Sequence, residues 1–362
     1  MRKSPFVTFP AKAFWSKSVS SGWSARKLVS DSAPLLRGGD KIMSAGSCFA
    51  ANIIPHLERA GFEYVRSEWL TMLRGFSFRA APENFNYDTY TAAYGNIYTA
   101  RQLLQTLRRS RGLFKPKECV WEEEDKFTDP FRPGLRYFSR SMLEFEMLTR
   151  QHLNCIVDGF RRATVFIFTL GLTEAWVSRA DGAVYPSCPG TIAGAFDDAK
   201  HKWINLSVDE TRSDLNAFIR EVRAINKNLR IIITVSPVPL VATASRRHVL
   251  EATTYSKSVL RVAAAQVAEQ NADVIYFPAY EIITGPQAPA DFFESDRRQV
   301  SQSGVLAVMD ALMSASECNR SDFNRGLRAD SVSLENENFD RLASKIIERE
   351  CEEAIVDQFR SD

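Results

Sequence analysis

In DKIMSAGSCFAANIIPHLERAGFEY, residues 40–64, Gly46 is followed by Ser47 and Cys48, two side chains able to act as nucleophiles. The spacing reads as a short strand, KIMSAGS (41–47), turning into an amphipathic helix. A serine at that junction exposes its hydroxyl at the sheet edge. The N–H groups of Cys48 and Phe49 then lack intrahelical partners and can stabilise an oxyanion. Serine is equally a favoured helix N-cap, a use that needs no chemistry. Cys48 is a third option, since a thiol just inside a helix start can have a lowered pKa, although small cysteines are also common in cores.

Those side chains need a scaffold. Three further apolar runs read as buried strands: TVFIFTLGLTEAW (164–176), RIIITVSPVP (230–239) and DVIYFPAYEII (273–283). Helical patterns lie between and after them, in ANIIPHLERAG (51–61), RSDLNAFIREVRAIN (212–226), YSKSVLRVAAAQVAEQN (255–271) and GVLAVMDALMSA (304–315). Strands alternating with helices predict an α/β fold with a mostly parallel sheet covered on both faces. We divide the chain into an N-terminal extension (1–39), a main domain (40–312) and a C-terminal helical appendage (313–362). Residues 66–150, aromatic and rich in Arg, Asn and Gly, read as an insertion with two or three helices, one of them TARQLLQTLRRS (99–110).

Composition narrows the function classes. The 362 residues are 45% hydrophobic and 25% charged with net charge +2, which supplies no electrostatic reason to expect nucleic acid or an anionic membrane as partner. No apolar run approaches the ~20 residues that span a bilayer. The N-terminal stretch is basic and aromatic, without the apolar core of a signal peptide, so a cytoplasmic location is expected. Six dispersed cysteines with no CxxC indicate neither a zinc site nor a disulfide framework, and no cofactor is expected.

In a parallel α/β sheet, ligands bind beyond the carboxyl ends of the strands. The four ends offer Gly46-Ser47-Cys48, Gly171-Leu172-Thr173-Glu174, Ser236-Pro237-Val238-Pro239 and Pro278-Ala279-Tyr280-Glu281. Glu174 can hold a histidine in its useful tautomer or bind a ligand hydroxyl; it is equally a helix-start glutamate favoured by the macrodipole. Of four histidines, His248, in the polar connection after the third strand, is the best placed base. His56 lies about 13 Å along the helix from Ser47. His152 precedes the second strand, at the wrong sheet edge, and His201 is the reserve.

Taken together, these residues resemble the GSCFA family, whose motif is Gly46-Ser47-Cys48-Phe49-Ala50. Eight further blocks resemble it in order: YGNIYTARQLL (94–104), DPFRP (129–133), TLGLTEAW (169–176), YPSCPGT (185–191), SPVPLVATA (236–244), HVLEATTYSKSVLR (248–261), YFPAYEII (276–283) and DRRQVSQSGVLAVM (296–309). The family is grouped with the SGNH/GDSL hydrolases. The resemblance implies a flavodoxin-like three-layer α/β/α sandwich and esterase or acyl-transfer chemistry on acyl esters, often of glycans. Its partners would be a carbohydrate or other small molecule and, for transfer, an acyl donor. Carried over, Ser47 matches the superfamily's nucleophile. Gly95-Asn96 is a counterpart of the oxyanion-hole residue, and Gly171 to Glu174 occupies the Gly-x-Asn-Asp block, with Thr173 where asparagine is usual.

One departure matters. Where the superfamily carries Asp-x-x-His, this chain has Asp296-Arg297-Arg298-Gln299, and no histidine follows. Either another residue is the base, His248 first, or the site is not a standard hydrolase. The first expectation is therefore an enzyme with Ser47 as nucleophile, His248 as base and Glu174 as its orienting carboxylate. Cys48 N–H, Asn96 and Thr173 would be oxyanion donors, and Gly46, Gly171 and Ser236 would help shape the site. The alternative is a degenerate fold, lacking the usual base, that binds a glycan or other small ligand through Arg101, Arg132, Tyr185, Trp176 and Tyr255.

Overall fold

A computed structural model describes residues 4–30, 33–69, 90–135 and 137–318, the Cys48 side chain excepted. The expected appendage therefore lies almost wholly outside the described residues, as does part of the expected insertion. Five strands form the central sheet: β1 (Lys41–Gly46), β2 (Glu63–Tyr64), β5 (Val165–Leu170), β9 (Arg230–Val235) and β10 (Val274–Phe277). Their order is β10-β9-β5-β1-β2 and every pairing is parallel. β5 lies in the middle, and all six of its residues, VFIFTL, are buried. A strand covered on both faces reads as one apolar run for that reason.

Helices complete a three-layer α/β/α arrangement. α2 (Cys48–Asn52) and α3 (Ile54–Arg59) connect β1 to β2. α4 (Ala100–Ser110) and α5 (Met142–Arg162) lie between β2 and β5, while α6 (Val208–Arg223) and α7 (Val249–Gln270) follow β5 and β9. Because β1 to β2 runs one way across the sheet and the later steps run the other, right-handed crossovers put the two helix sets on opposite faces. α8 (Ala279–Thr284) and α9 (Gln302–Ser314) close the domain. From the N-terminal stretch, α1 (Ala25–Val29) packs on α9, with Arg26 paired to Asp310 and the Leu35 N–H donating to Ala315 O.

Four expectations change. The run TVFIFTLGLTEAW is two strands in different sheets. β5 ends at Leu170, and β6 (Glu174–Ser178) belongs to an antiparallel sheet with β7 (Val184–Tyr185) and β8 (His201–Asn205). The break falls where the N–H groups of Gly171 and Leu172 turn to Tyr98 O instead of a neighbouring strand. The run DVIYFPAYEII stops being strand at Phe277. Pro278 has no N–H for the ladder, and Ala279, Ile282 and Ile283 form the buried face of α8. The helix expected over 51–61 is divided, with Pro55 in the first turn of α3. α7 also begins at Val249 rather than Tyr255. A short hairpin, β3 (Trp121–Glu123) with β4 (Lys126–Thr128), lies in the expected insertion. Among the described residues no helix is long and apolar enough to cross a membrane.

Candidate active site

Ser47 occupies the N-cap position of α2, yet its side chain accepts no capping bond. The contrast with other caps is direct. Thr99, Ser141, Ser207 and Ser301 all accept the N–H of the third helical residue in α4, α5, α6 and α9. The Ser47 hydroxyl instead points at Ser236 Oγ, 3.5 Å away. Gly46 makes this turn possible. Its φ is +154°, and a Cβ there would lie 2.7 Å from Thr169 Cβ and 2.9 Å from Ala50 Cβ. Cys48 opens α2, so its backbone N–H has the free position expected of a helix start; its thiol lies outside the described side chains.

The loop before α4 comes up against Ser47. Ile97 N–H donates to Gly46 O at 2.8 Å, and Tyr90 OH lies 3.5 Å from Ser47 O and 3.1 Å from Asn96 Oδ1. Gln102 holds the loop from both sides: its Oε1 accepts Tyr98 N–H and its Nε2 donates to Asn96 O. The structure thus brings Ser236 to Ser47, with Asn96 one step further off, beyond Tyr90.

The Gly171–Glu174 block does not serve as expected. Gly171 N–H is used by Tyr98 O, Thr173 N–H by Ser256 Oγ at 3.0 Å, and Thr173 Oγ1–H by Asn205 Oδ1 at 2.6 Å. An oxyanion would have to displace one of these partners. Glu174 accepts from Trp203 Nε1 (3.0 Å), Thr243 Oγ1 (2.6 Å) and Ala244 N–H (3.3 Å), tying β6, β8 and the loop after β9 together. It orients no histidine. His248 is exposed at the N-cap of α7, where its Nδ1 accepts Leu250 N–H at 3.2 Å. Among the described residues no hydrogen bond joins His248 to Ser47 or Glu174, so the expected triad is not assembled.

Lys257, which the sequence reading passed over, is 1% exposed and donates from Nζ to Gly171 O at 2.7 Å. The signal was present: Lys257 falls on the stripe that also carries Leu260, Ala264 and Val267, all buried on α7. A lysine on a core stripe is rare unless it is paired or used.

A cleft of about 350 Å³ opens beside this strand end, lined among others by Tyr98, Leu172, Glu174, Trp176, Tyr185 and Trp203. Ser47 is not among its lining residues and is itself only 4% exposed. Two of the residues proposed for ligand binding, Trp176 and Tyr185, thus line the cleft. The others lie elsewhere. Arg101 pairs with Asp214 and Glu210, Tyr255 is exposed, and Arg132 is buried against Asp129 and near Glu68.

The remaining histidines are buried. His152 Nδ1 lies 2.7 Å from Glu68 Oε2, both buried. Burial pushes the Glu68 carboxyl up, but His152, Arg132 and the Ala93 N–H outweigh it and hold the group below its ordinary value. Burial, with Arg132 nearby, holds His152 below its own ordinary value, against the pull of Glu68. His201 accepts Asp197 N–H at Nδ1, so its Nε2–H faces Glu118 Oε2 at 3.0 Å. Burial, helped by Arg59, lowers His56 to about 4.

Residues 41–312 match the GSCFA family. No curated protein matches the chain. A carbohydrate esterase family 3 protein from Talaromyces cellulolyticus is similar in structure at 12% identity and TM-score 0.35, over 75% of this chain and 94% of that one. A GDSL-like lipase from Bacteroides thetaiotaomicron is similar at 10% identity and TM-score 0.32, over 79% and 89%. Likenesses this distant decide nothing about chemistry; the sheet order and the family match stand without them. The match covers the strands, the Ser47 turn and the cleft, and on it the chain belongs to the GSCFA family.

Proposed function

We propose that this chain is a serine esterase or acyltransferase acting on acyl esters of a carbohydrate. The observation that carries the reading is the Ser47 hydroxyl, withheld from the helix cap and faced by Ser236. Ser47 Oγ attacks the ester carbonyl, and the tetrahedral oxyanion takes hydrogen bonds from Cys48 N–H and from Asn96. Losing one such donor typically costs ~3 kcal/mol, a hundredfold or more in rate. The aromatic cleft supports a sugar as the group that carries the ester, because Trp176 and Trp203 line it beside hydrogen-bonding atoms. Transfer differs from hydrolysis only in which acceptor, an alcohol or water, reaches the acyl-serine.

The test is labelling with a fluorophosphonate followed by peptide mapping. We expect the label on Ser47, and Ser47→Ala to abolish both labelling and turnover of acetylated sugars. Turnover intact in Ser47→Ala overturns the mechanism. A second reading, a binding protein without chemistry, draws on one observation: Ser47 is buried and outside the cleft lining. Sugar binding in the cleft with no labelling of Ser47 would favour it.

A further inference from the structure

Ser47 needs a proton acceptor, and the histidine expected from the sequence caps a helix instead. β5 lies between β1 and β9, so the backbones of those two strands stand about 10 Å apart. The hydroxyls of Ser47, after β1, and Ser236, after β9, nevertheless come within 3.5 Å. Both must lean over the end of β5. There Leu170 O accepts the Ser236 N–H at 2.8 Å, and the next carbonyl, Gly171 O, accepts Lys257 Nζ at 2.7 Å. Three groups from β1, β9 and α7 therefore converge on one strand end. Charged residues on elements packed against α7, Arg212 on α6 and Glu281 on α8, meet that helix further along, at Gln266 and Arg261.

The geometry points to Lys257 as the acceptor of the Ser47 proton, with the Ser236 hydroxyl as the relay between them. This inference rests on the serine-enzyme reading above. A neutral lysine amine has two N–H bonds, one of which serves Gly171 O, and a lone pair that takes a proton. As Ser47 Oγ bonds to the ester carbon, its proton passes to Ser236 Oγ and the Ser236 proton passes to Nζ, leaving an ammonium and the tetrahedral oxyanion. Collapse breaks the bond to the alcohol oxygen, which receives the proton back through Ser236. Water or an acceptor alcohol then attacks the acyl-serine, gives its proton to Nζ by the same route, and collapse returns that proton to Ser47. The Ser47–Ser236 contact, at 3.5 Å, is long for catalysis, as such contacts commonly are before substrate binds.

The experiment measures kcat/KM against pH, with an aryl acetate as substrate, for the wild type, Lys257→Met, Lys257→Arg and Lys257→Ala. General-base loss is worth 10²–10⁴-fold. We expect losses in that range for Lys257→Met in kcat, with KM nearly unchanged. Lys257→Arg should recover little, because it restores charge without a lone pair. The acid limb of the wild-type profile should vanish in Lys257→Met, and added primary alkylamines should restore part of the rate to Lys257→Ala. Recovery to within a fewfold in Lys257→Arg overturns the inference, as does an acid limb retained in Lys257→Met. Should the buried substitutions fail to fold, the exposed site decides: a hundredfold loss in His248→Ala would make His248 the base, whereas an unaltered acid limb there supports Lys257. A wild type that neither labels at Ser47 nor turns over esters is a different failure, that of the enzyme reading itself.

Discussion

The Glu68–His152 pair and the Ser47–Ser236 pair are both buried polar contacts against the same sheet, but they are built differently. Around Glu68, each carboxylate oxygen meets a cation, a ring N–H or a backbone N–H. Around Ser47, the one side-chain hydrogen bond among the described residues spans 3.5 Å. A fully matched buried network holds structure in place, and removing one member strands the others. A hydroxyl held by one long contact contributes little to folding and stays available for reaction. The first region should therefore report on stability when altered, and the second on activity.

Predictions can break that division. The largest effect is expected from Glu68→Ala, which leaves His152 buried without its carboxylate and Arg132 with Asp129 alone. Breaking such a pair costs about 3–5 kcal/mol, to be read by urea unfolding, while the folded fraction keeps its kcat. A parallel loss of activity per folded molecule would erase the distinction between the regions. Next is pH. His56 is held neutral down to about 4, below its unfolded value of 6.5. Its contribution is fully present above pH 6.5 and is lost as pH falls towards 4, because the unfolded chain binds the proton first. The loss amounts to about 3 kcal/mol. Unfolding measured at pH 7.5 and 4.5 should show a smaller drop in His56→Leu than in the wild type.

Gly46→Ala should sharpen the comparison from the other side. The new methyl meets Thr169 and Ala50, an overpacking cost of about 2 kcal/mol. The accompanying shift of Ser47 should lower kcat a hundredfold, since a displacement of about 1 Å can do so. Activity falling no faster than stability would count against Ser47. Glu174→Gln weakens three contacts that join β6, β8 and the loop after β9. We expect about 1.5 kcal/mol of stability and a raised KM with kcat held, checked by melting and steady-state kinetics. Smallest is His248→Ala, an exposed cap worth about 0.5 kcal/mol, visible only as a slightly lowered melting temperature.

Much of the scaffold was legible in the chain. VFIFTL, RIIITV and KIMSAG declare themselves by continuous apolar character, and α6 by the helical spacing of Leu215, Phe218, Ile219 and Val222. These signals are local: burial on both faces needs apolar residues throughout, and burial on one helix face needs them at helical spacing. The GSCFA blocks likewise singled out Ser47, Asn96 and Ser236.

The roles were not legible, because each depends on which partner a side chain meets. Glu174 beside His248 is a reasonable pairing by position, yet Trp203 and Thr243, distant in sequence, claim the carboxylate. Thr173 has two donors on paper, and both are consumed by Ser256 and Asn205. The end of β5 at Gly171 likewise required Tyr98, which arrives from before α4. By itself the sequence determined the parallel sheet and the family, since periodicity and motif are properties of adjacent residues. Only the tertiary structure decided that Ser47 is withheld from its cap, that His248 is spent on one, and that Lys257 stands at the strand end. Hydrogen bonds are exclusive, and which one a donor makes is settled by what the fold brings within reach.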